Sequence, residues 1–418
     1  LKQQAVGFSL LCVLVGCGSD DANPAFSSKA QLGEQLYSDK NLSLNRTQSC
    51  ATCHNPNQGF IDERVNDASI KGLAAAGSLG DNGTSIGDRN APSAAYAAFS
   101  PDFKQGARER AASQRTGNNP VADYQGFLGG QFWDGREDDL AGQAGRPPTN
   151  PSEMGMPDKA SVIERLKENA HYISGFESLY GADIFNDTNI AYLAMADSIG
   201  EFEKTPEFYP FDSKYDRSLT GEYSYSVTSK AVLGKALFFS SDFSCASCHQ
   251  FREIGNTGEI FTSFEYHNIG VPENTALRSF NGVSQLDLGL FQNPAAATNE
   301  NKGKFKVPTL RNVAVTAPYM HNGVFQTLEA VLHFYEHAKI RGRNANNGSQ
   351  VNNIINPETD LGFNDPEVEL NIEHPLLASN DKNLDPQNIE ALVCFFMSLT
   401  DLKFEHLLDG QKVEACGL

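Results

Sequence analysis

Apolar residues recur at three- and four-residue spacing in five stretches: Val162–Asn169, Ile190–Glu203, Thr228–Phe239, Thr327–His337 and Pro386–Leu399. That spacing gathers apolar side chains on one face of a 3.6-residue helix, so each stretch predicts a helix with a buried side. Strict apolar–polar alternation, the mark of a half-buried strand, is scarce. Asx- and Gly-rich stretches at 77–92 and 341–353 read as surface loops, and the acidic tract 356–373 as a solvated loop. The pattern predicts a mainly α chain with long irregular connections. Two segments, LGEQLYSDKNLSLNRTQSCATCH (32–54) and LGKALFFSSDFSCASCHQ (233–250), are versions of one unit, a helix followed by a loop and a cysteine motif. A boundary near 206–226, marked by Pro206, Pro210 and Gly221, separates the two copies. The predicted domains are 25–215 and 216–418, preceded by a signal segment at 1–17.

Each copy ends in a C-x-x-C-H pentapeptide: Cys50-Ala-Thr-Cys53-His54 and Cys245-Ala-Ser-Cys248-His249. This is the signature of covalent haem attachment, in which two thiols add to the haem vinyl groups and the next residue places an imidazole on the iron. A redox C-x-x-C or half a zinc site would leave the adjacent histidine unexplained. With 8 Cys and 9 His in 418 residues, two chance matches are rare. Two c-type haems are therefore expected, one per domain, replacing much of the core that loop-rich domains would otherwise lack.

The start of the chain bears on location. Lys2 precedes a short apolar run, Ala5 to Val15, and then Leu14-Val15-Gly16-Cys17. The run is too short to span a bilayer and reads as a signal-peptide core. Small residues before Cys17 resemble a bacterial lipobox, which would make Cys17 a lipid anchor, with outer-membrane sorting following from Gly18; an ordinary signal cut near the same place is the alternative. Either reading exports the chain to the periplasm or cell surface, with membrane contact by lipid anchor only. The formal charge of −19 argues against nucleic acid and anionic lipid as partners and would suit a basic electron-donor protein. Cys394 and Cys416 remain outside the motifs. An oxidising compartment permits a bridge between them, while the apolar run around Cys394 equally suits a buried free thiol.

Beyond the two motifs, the chain resembles the bacterial dihaem cytochrome c peroxidase and MauG superfamily over essentially its whole mature length. The matching segments are DRNAPS (88–93), QFWDGRE (131–137), GQAGRPPTNPSEMGMP (142–157), LGKALFFS (233–240) and FKVPTLRNVAVTAPYMHNGVFQTLEAV (305–331), together with the first repeat unit. The resemblance implies two cytochrome c-like haem domains, with the N-terminal haem reacting with hydrogen peroxide and the C-terminal haem relaying electrons. It makes His54 the ligand of the reactive iron. Glu153, twenty residues after Trp133 with Gln143 and Pro147 between, matches the distal pocket. There a carboxylate would take a proton from one peroxide oxygen and return it to the other, while Gln143 holds the peroxide. Read alone, Glu153 is an exposed helix-cap acid and Trp133, the single tryptophan, a core residue; the resemblance makes Trp133 the stepping stone between haems. Asn90, Thr316 and Pro318 match a calcium site, the last two through backbone carbonyls.

Two departures bear on the branch. Peroxidases that need reductive activation cap the reactive iron with a loop histidine, but no histidine lies between His54 and His171, where the loop offers Asn82 and Ser85. The reactive haem is thus expected to be open at rest. The relay haem's sixth ligand, Met in typical peroxidases, falls fourteen residues after His321, which is Tyr335 as in the MauG branch. His333, His337 and Met320 are rivals; on a helix the two histidines share a face nearly opposite Tyr335. Tyrosinate stabilises ferric or higher-valent iron, whereas Met favours the ferrous form. The expectation is a MauG-like enzyme that uses peroxide to oxidise Trp or Tyr residues of a partner protein. The alternative is a peroxidase fed by a small cytochrome or copper protein, and a third class is a plain electron-transfer cytochrome, which would need no distal acid. Pro101–Phe127, with Lys104, Arg108, Arg110 and Arg115, is an insertion, read either as a solvated loop or as a docking loop beside the reactive haem.

Overall fold

The computed structural model describes residues 26–66, 77–110, 122–250, 258–347, 354–373 and 383–418, with side chains of the helix ending at Asn347 described as far as Arg341. The predicted signal with Cys17, and Arg115, lie outside the described residues. No described helix is long and apolar enough to cross a membrane.

The chain is mainly α, as its apolar spacing predicts. The first predicted helix forms as Lys159–Lys167. The helices that position the cysteine motifs are α1 (Lys29–Ser38), α2 (Thr188–Glu203), α3 (Lys230–Phe239), α4 (Leu328–Asn347) and α5 (Pro386–Met397). Their starts are set by side-chain caps: Ser28, Asp187, Ser229 and Asp385 each accept a first-turn backbone N–H that has no partner within the helix. Helix α4 runs beyond the expected end at His337 into the stretch read as a loop. The described strands form three two-stranded antiparallel pairs.

The buried apolar residues fall into two main clusters. One runs from Phe26 to Phe208 and is joined by Ile260, Phe264 and Phe404. The other runs from Tyr215 to Leu399 and includes Cys416. Each is organised by a helix pair, α1 on α2 and α3 on α5, the most extensive helix–helix contacts in the molecule. Both pairs cross at a glycine. A Cβ on Gly33 would lie 1.8 Å from Ser198 O, and one on Gly234 would lie 1.8 Å from Ala391 O. Backbone meets backbone there, and Phe202 and Phe395 close the two crossings in matching positions. The sequence repeat is therefore a repeat of packing. Each fully buried Leu or Phe along these seams contributes about 1.5–3 kcal/mol. Cys394 and Cys416, left open between bridge and free thiol, form a disulfide with Cα atoms 5.3 Å apart, tying α5 to the last helix, Gly410–Cys416.

Two loop readings are corrected. The acidic tract is not wholly solvated: Glu367 is buried against Arg278 at 2.6 Å, and Glu358 caps α4 by accepting from Gln326 N and Thr327 N. The described part of the 101–127 insertion is not a solvated loop at its base, and its arginines lie against the second motif. It folds into a hairpin, β1 (Lys104–Arg108) with β2 (Tyr124–Leu128). Arg108 and the buried Arg110 both pair with Glu265 and both donate to Ser247 O, between the two thiols of the second motif. Glu265 in turn meets His267 at 2.9 Å. Two cations, one of them buried, on one buried carboxylate hold the hairpin to the second half.

Gly234→Ala should cost about 1–3 kcal/mol by overpacking, read as a lower denaturant midpoint. Gly362→Ala, whose Cβ would meet nothing within 4 Å, should stay within about 0.5 kcal/mol of wild type. Likewise Arg110→Ala should lose about 1.5–3 kcal/mol, the scale of a hydrogen bond to a charged partner, whereas exposed Lys104→Ala should be silent in the same measurement.

Candidate active site

Both cysteine motifs occupy tight turns that turn the following histidine inward. Cys50–Cys53 forms one helical turn, and His54 N donates to Cys50 O at 2.8 Å. Cys245–Ser247 forms a 3-10 turn, and His249 N donates to Cys245 O at 3.0 Å. In each half the imidazole Nδ1 lies 3.3 Å from a phenylalanine carbonyl, Phe60 for His54 and Phe261 for His249. Both phenylalanines adopt left-handed backbone angles, φ +56° and +52°, which aim the carbonyl at the ring. The preceding carbonyls, of Gly59 and Ile260, accept from Ser93 at 2.7 Å and Thr309 at 2.6 Å. With Nδ1 donating, Nε2 carries the lone pair a metal needs. Burial lowers both imidazoles, His249 to about 4, so they are held in the neutral, ligating form. Neither Phe60 nor Phe261 is legible from the sequence, because they lie six and twelve residues after their histidines and share no common spacing.

A cavity of about 360 Å3 opens on the second motif, and Cys245, Cys248, His249, Trp133, Met320 and Tyr335 all lie on its wall. The wall also carries Phe238, Phe264 and Leu310 and three basic side chains, Lys306, Arg311 and Lys339, and burial pushes the Lys306 ammonium down to about 7. A largely apolar slot with thiols on one side and basic side chains on its wall suits a flat apolar macrocycle that bears carboxylates. Tyr335 reaches this wall from α4, and none of the described residues hydrogen-bonds its hydroxyl. Burial, then the Cys248 and Cys245 thiols, push its phenol well up. Of its rivals, Met320 is on the same wall. His333 and His337 are not, and the His337 ring packs on Phe363 at 5.3 Å.

Trp133 is fixed from both sides. Its Nε1 donates to Asn90 O at 2.8 Å, and its own carbonyl accepts from Lys306 N at 2.9 Å. Asn90 also donates from N to His321 O at 2.8 Å and from Nδ2 to Pro318 O at 2.7 Å. Asn90 and Pro318 are thus brought together, with the Met320 carbonyl 3.5 Å from the amide. Rotating that amide would bring Oδ1 to face the carbonyls, the oxygen-rich setting a hard cation takes. Thr316 neighbours this loop and makes only a local turn to Val313.

Gln143 stands on the short helix Leu140–Ala144, capped by Asp139, and Pro147 opens the 3-10 turn Pro147–Thr149. Glu153 is not an exposed helix-cap acid. It lies in the turn after Pro147–Thr149, half-buried, its carbonyl accepting from Asp81 N at 2.7 Å. Burial raises its carboxyl, against the pull of Arg136 and Asn150. Its charge acts on both thiols of the first motif, so it lies within electrostatic reach of Cys50 and Cys53. Asn82 and Ser85 bond each other at 2.7 Å within their own turn.

The model of the di-haem cytochrome c peroxidase family matches residues 27–224. The methylamine utilization protein MauG of Paracoccus denitrificans (strain Pd 1222) is 42% identical over 397 residues, covering 94% of each chain. Cytochrome c peroxidase Ccp of Escherichia coli (strain K12) is 30% identical over 74% of this chain and 53% of its own length. Among solved structures, the diheme peroxidase BthA of Burkholderia thailandensis E264 superposes with a TM-score of 0.72 at 23% identity, over 93% of this chain and 90% of that one, a likeness of fold. With both attachment motifs in matching turns and a MauG relative along nearly its full length, the chain belongs to the MauG-like dihaem cytochrome c peroxidase superfamily, haem oxidoreductases that act on peroxide.

Proposed function

We propose that this chain uses hydrogen peroxide to oxidise aromatic residues, Trp or Tyr, of a docked partner protein. The observation that carries this reading is Tyr335 on the wall of the second haem pocket, where an anionic oxygen ligand would hold iron in its oxidised forms. When bound, the haems supply the two-electron reaction with peroxide. Glu153, its carboxyl raised by burial, moves the proton between the two peroxide oxygens, and Gln143 and Pro147 shape the space beside it. Trp133, held at both its indole and its carbonyl, stands between the haem sites. His54 then serves the reactive domain (25–215), and His249 with Tyr335 serves the relay domain (216–418). A calcium ion held by Asn90, Thr316 and Pro318 would fix the loop that orients Trp133. Export is part of the reading: covalent haem attachment and the Cys394–Cys416 disulfide both suit an oxidising compartment, and Cys17 is the candidate lipid anchor.

Similarity to the Escherichia coli peroxidase supports a second reading, peroxide removal with electrons from a small cytochrome or copper protein. Two sequence features weigh against it. A tyrosine stands where typical peroxidases carry Met, and no histidine between His54 and His171 could cap the reactive iron. The deciding experiment mixes the fully ferric protein with one equivalent of peroxide in a stopped-flow spectrometer. Direct formation of a long-lived oxidised state on both haems is expected; a requirement for prior reduction would return the chain to the second reading.

Glu153→Gln should slow formation of that state by about 10²–10⁴-fold, the usual worth of a positioned proton-transfer group, with the resting spectrum intact. Tyr335→His should give a bis-histidine relay spectrum and abolish storage of the oxidised state. An unaltered low-spin spectrum with normal storage would point to Met320 instead.

A further inference from the structure

Tyr96 is almost wholly buried and, like Trp133, lies on the wall of the second haem cavity. Two residues before it, Ala94 N donates to Phe60 O at 3.2 Å, the carbonyl that orients His54. The side chain thus stands between the two attachment sites. Its counterpart in the second half is Asn312. Both residues have left-handed backbone angles, φ +61° and +60°, and both open a 3-10 turn, Ala97–Phe99 and Val313–Val315. Both side chains converge on Asp401, which is fully buried. Tyr96 OH donates to Oδ1 at 2.7 Å, and Asn312 Nδ2 donates to Oδ2 at 2.8 Å.

Left-handed backbone suits Asn and strains an aromatic residue, by about 1–3 kcal/mol. One half therefore meets Asp401 with an inert amide, and the other meets it with an oxidisable phenol at a steric cost. The phenol's proton has a fixed destination. Phe211 N donates to the Tyr96 oxygen at 3.2 Å, so the O–H is directed at Asp401. Burial pushes the Asp401 carboxyl up to about 6, which makes its carboxylate a better base. The guanidinium over the Tyr96 ring, Arg311 at 5.3 Å, is itself paired with Asp216 at 2.8 Å.

A phenol that loses an electron becomes a strong acid, and leaving a positive charge on a buried ring is costly. A buried tyrosine is oxidised readily only where a base is in hydrogen-bond contact. Building on the peroxide chemistry proposed above, we infer that Tyr96 is a second oxidisable station between the haem sites, distinct from Trp133, which gives one electron to a peroxide-oxidised haem and its proton to Asp401. The Tyr96 O–H bond breaks and an Asp401 O–H bond forms. The haem gains one electron, and the tyrosine becomes a neutral phenoxyl radical. Return of one electron and the proton restores both.

The test is freeze-quenched electron paramagnetic resonance of the dihaem protein after one equivalent of hydrogen peroxide, with haem spectra recorded on the same samples. A tyrosyl signal that narrows on labelling with ring-deuterated tyrosine is expected in wild type, lost in Tyr96→Phe and much reduced in Asp401→Asn, which can keep hydrogen bonds to both neighbours. A signal that survives Tyr96→Phe overturns the inference, as does a wild-type haem change with no tyrosyl signal. Should Tyr96→Phe fail to retain haem, Asp401→Asn decides, and an undiminished signal there overturns it. No haem change in wild type would sink the peroxide reading itself, and this inference with it.

Discussion

One hydrogen bond, made twice, underlies the organisation of the molecule: imidazole Nδ1 to the carbonyl of a left-handed phenylalanine. A histidine that is to bind iron must be buried, neutral and protonated on the correct nitrogen, and a single inward carbonyl secures the last of these. A carbonyl can be aimed that way only if its residue leaves the ordinary backbone regions, at about 1–2 kcal/mol each. Phe60 and Phe261 offset that cost by burying their rings completely, and Ser93 and Thr309 hold the turn from the other side. The helix crossings at Gly33 and Gly234 form the scaffold behind these turns. Without the close approach of α1 to α2 and of α3 to α5, the cysteine turns would have no fixed floor.

On this shared scaffold the halves differ in what lies near the two cysteine motifs. The first half brings a half-buried Glu153, its carboxyl raised by burial, within electrostatic reach of its thiols. The second brings Tyr335 to a cavity wall with no hydrogen-bond partner for the phenol among the described residues. A group poised to exchange protons and a group suited to bind metal imply different tasks for two otherwise equivalent attachment sites. The same divergence recurs at Tyr96 and Asn312, one position of the repeat filled by two residue types around one shared carboxylate.

The helices with clear apolar spacing were legible, and so were both haem motifs, because each is a local pattern. Helix α1 was legible through the repeat unit, whereas Ala170–Tyr180 was not. Gly175 reads as a helix weakener, yet it marks a contact too close for a Cβ, with the Phe26 ring. The hairpin was misjudged because its arginines look solvated until Glu265, 155 residues beyond Arg110, is brought against them. The family resemblance pointed to Tyr335, and helical geometry put His333 and His337 on a nearly opposite face. Which face of α4 meets the cavity depends on tertiary packing, and no local pattern carries that.

Asn90 shows how the two halves are coupled. Its backbone N–H holds His321, its side chain holds Pro318, and its carbonyl holds the indole of Trp133. Three bonds from one residue of the first half thus fix a loop of the second half and the indole on the wall of the second cavity. A cation bound at this point would replace the amide contact with Pro318 and leave the bond to Trp133 in place, stiffening the junction without reorienting the ring. Communication between the sites then rests on a short loop junction, and the helix pairs on either side can each remain rigid.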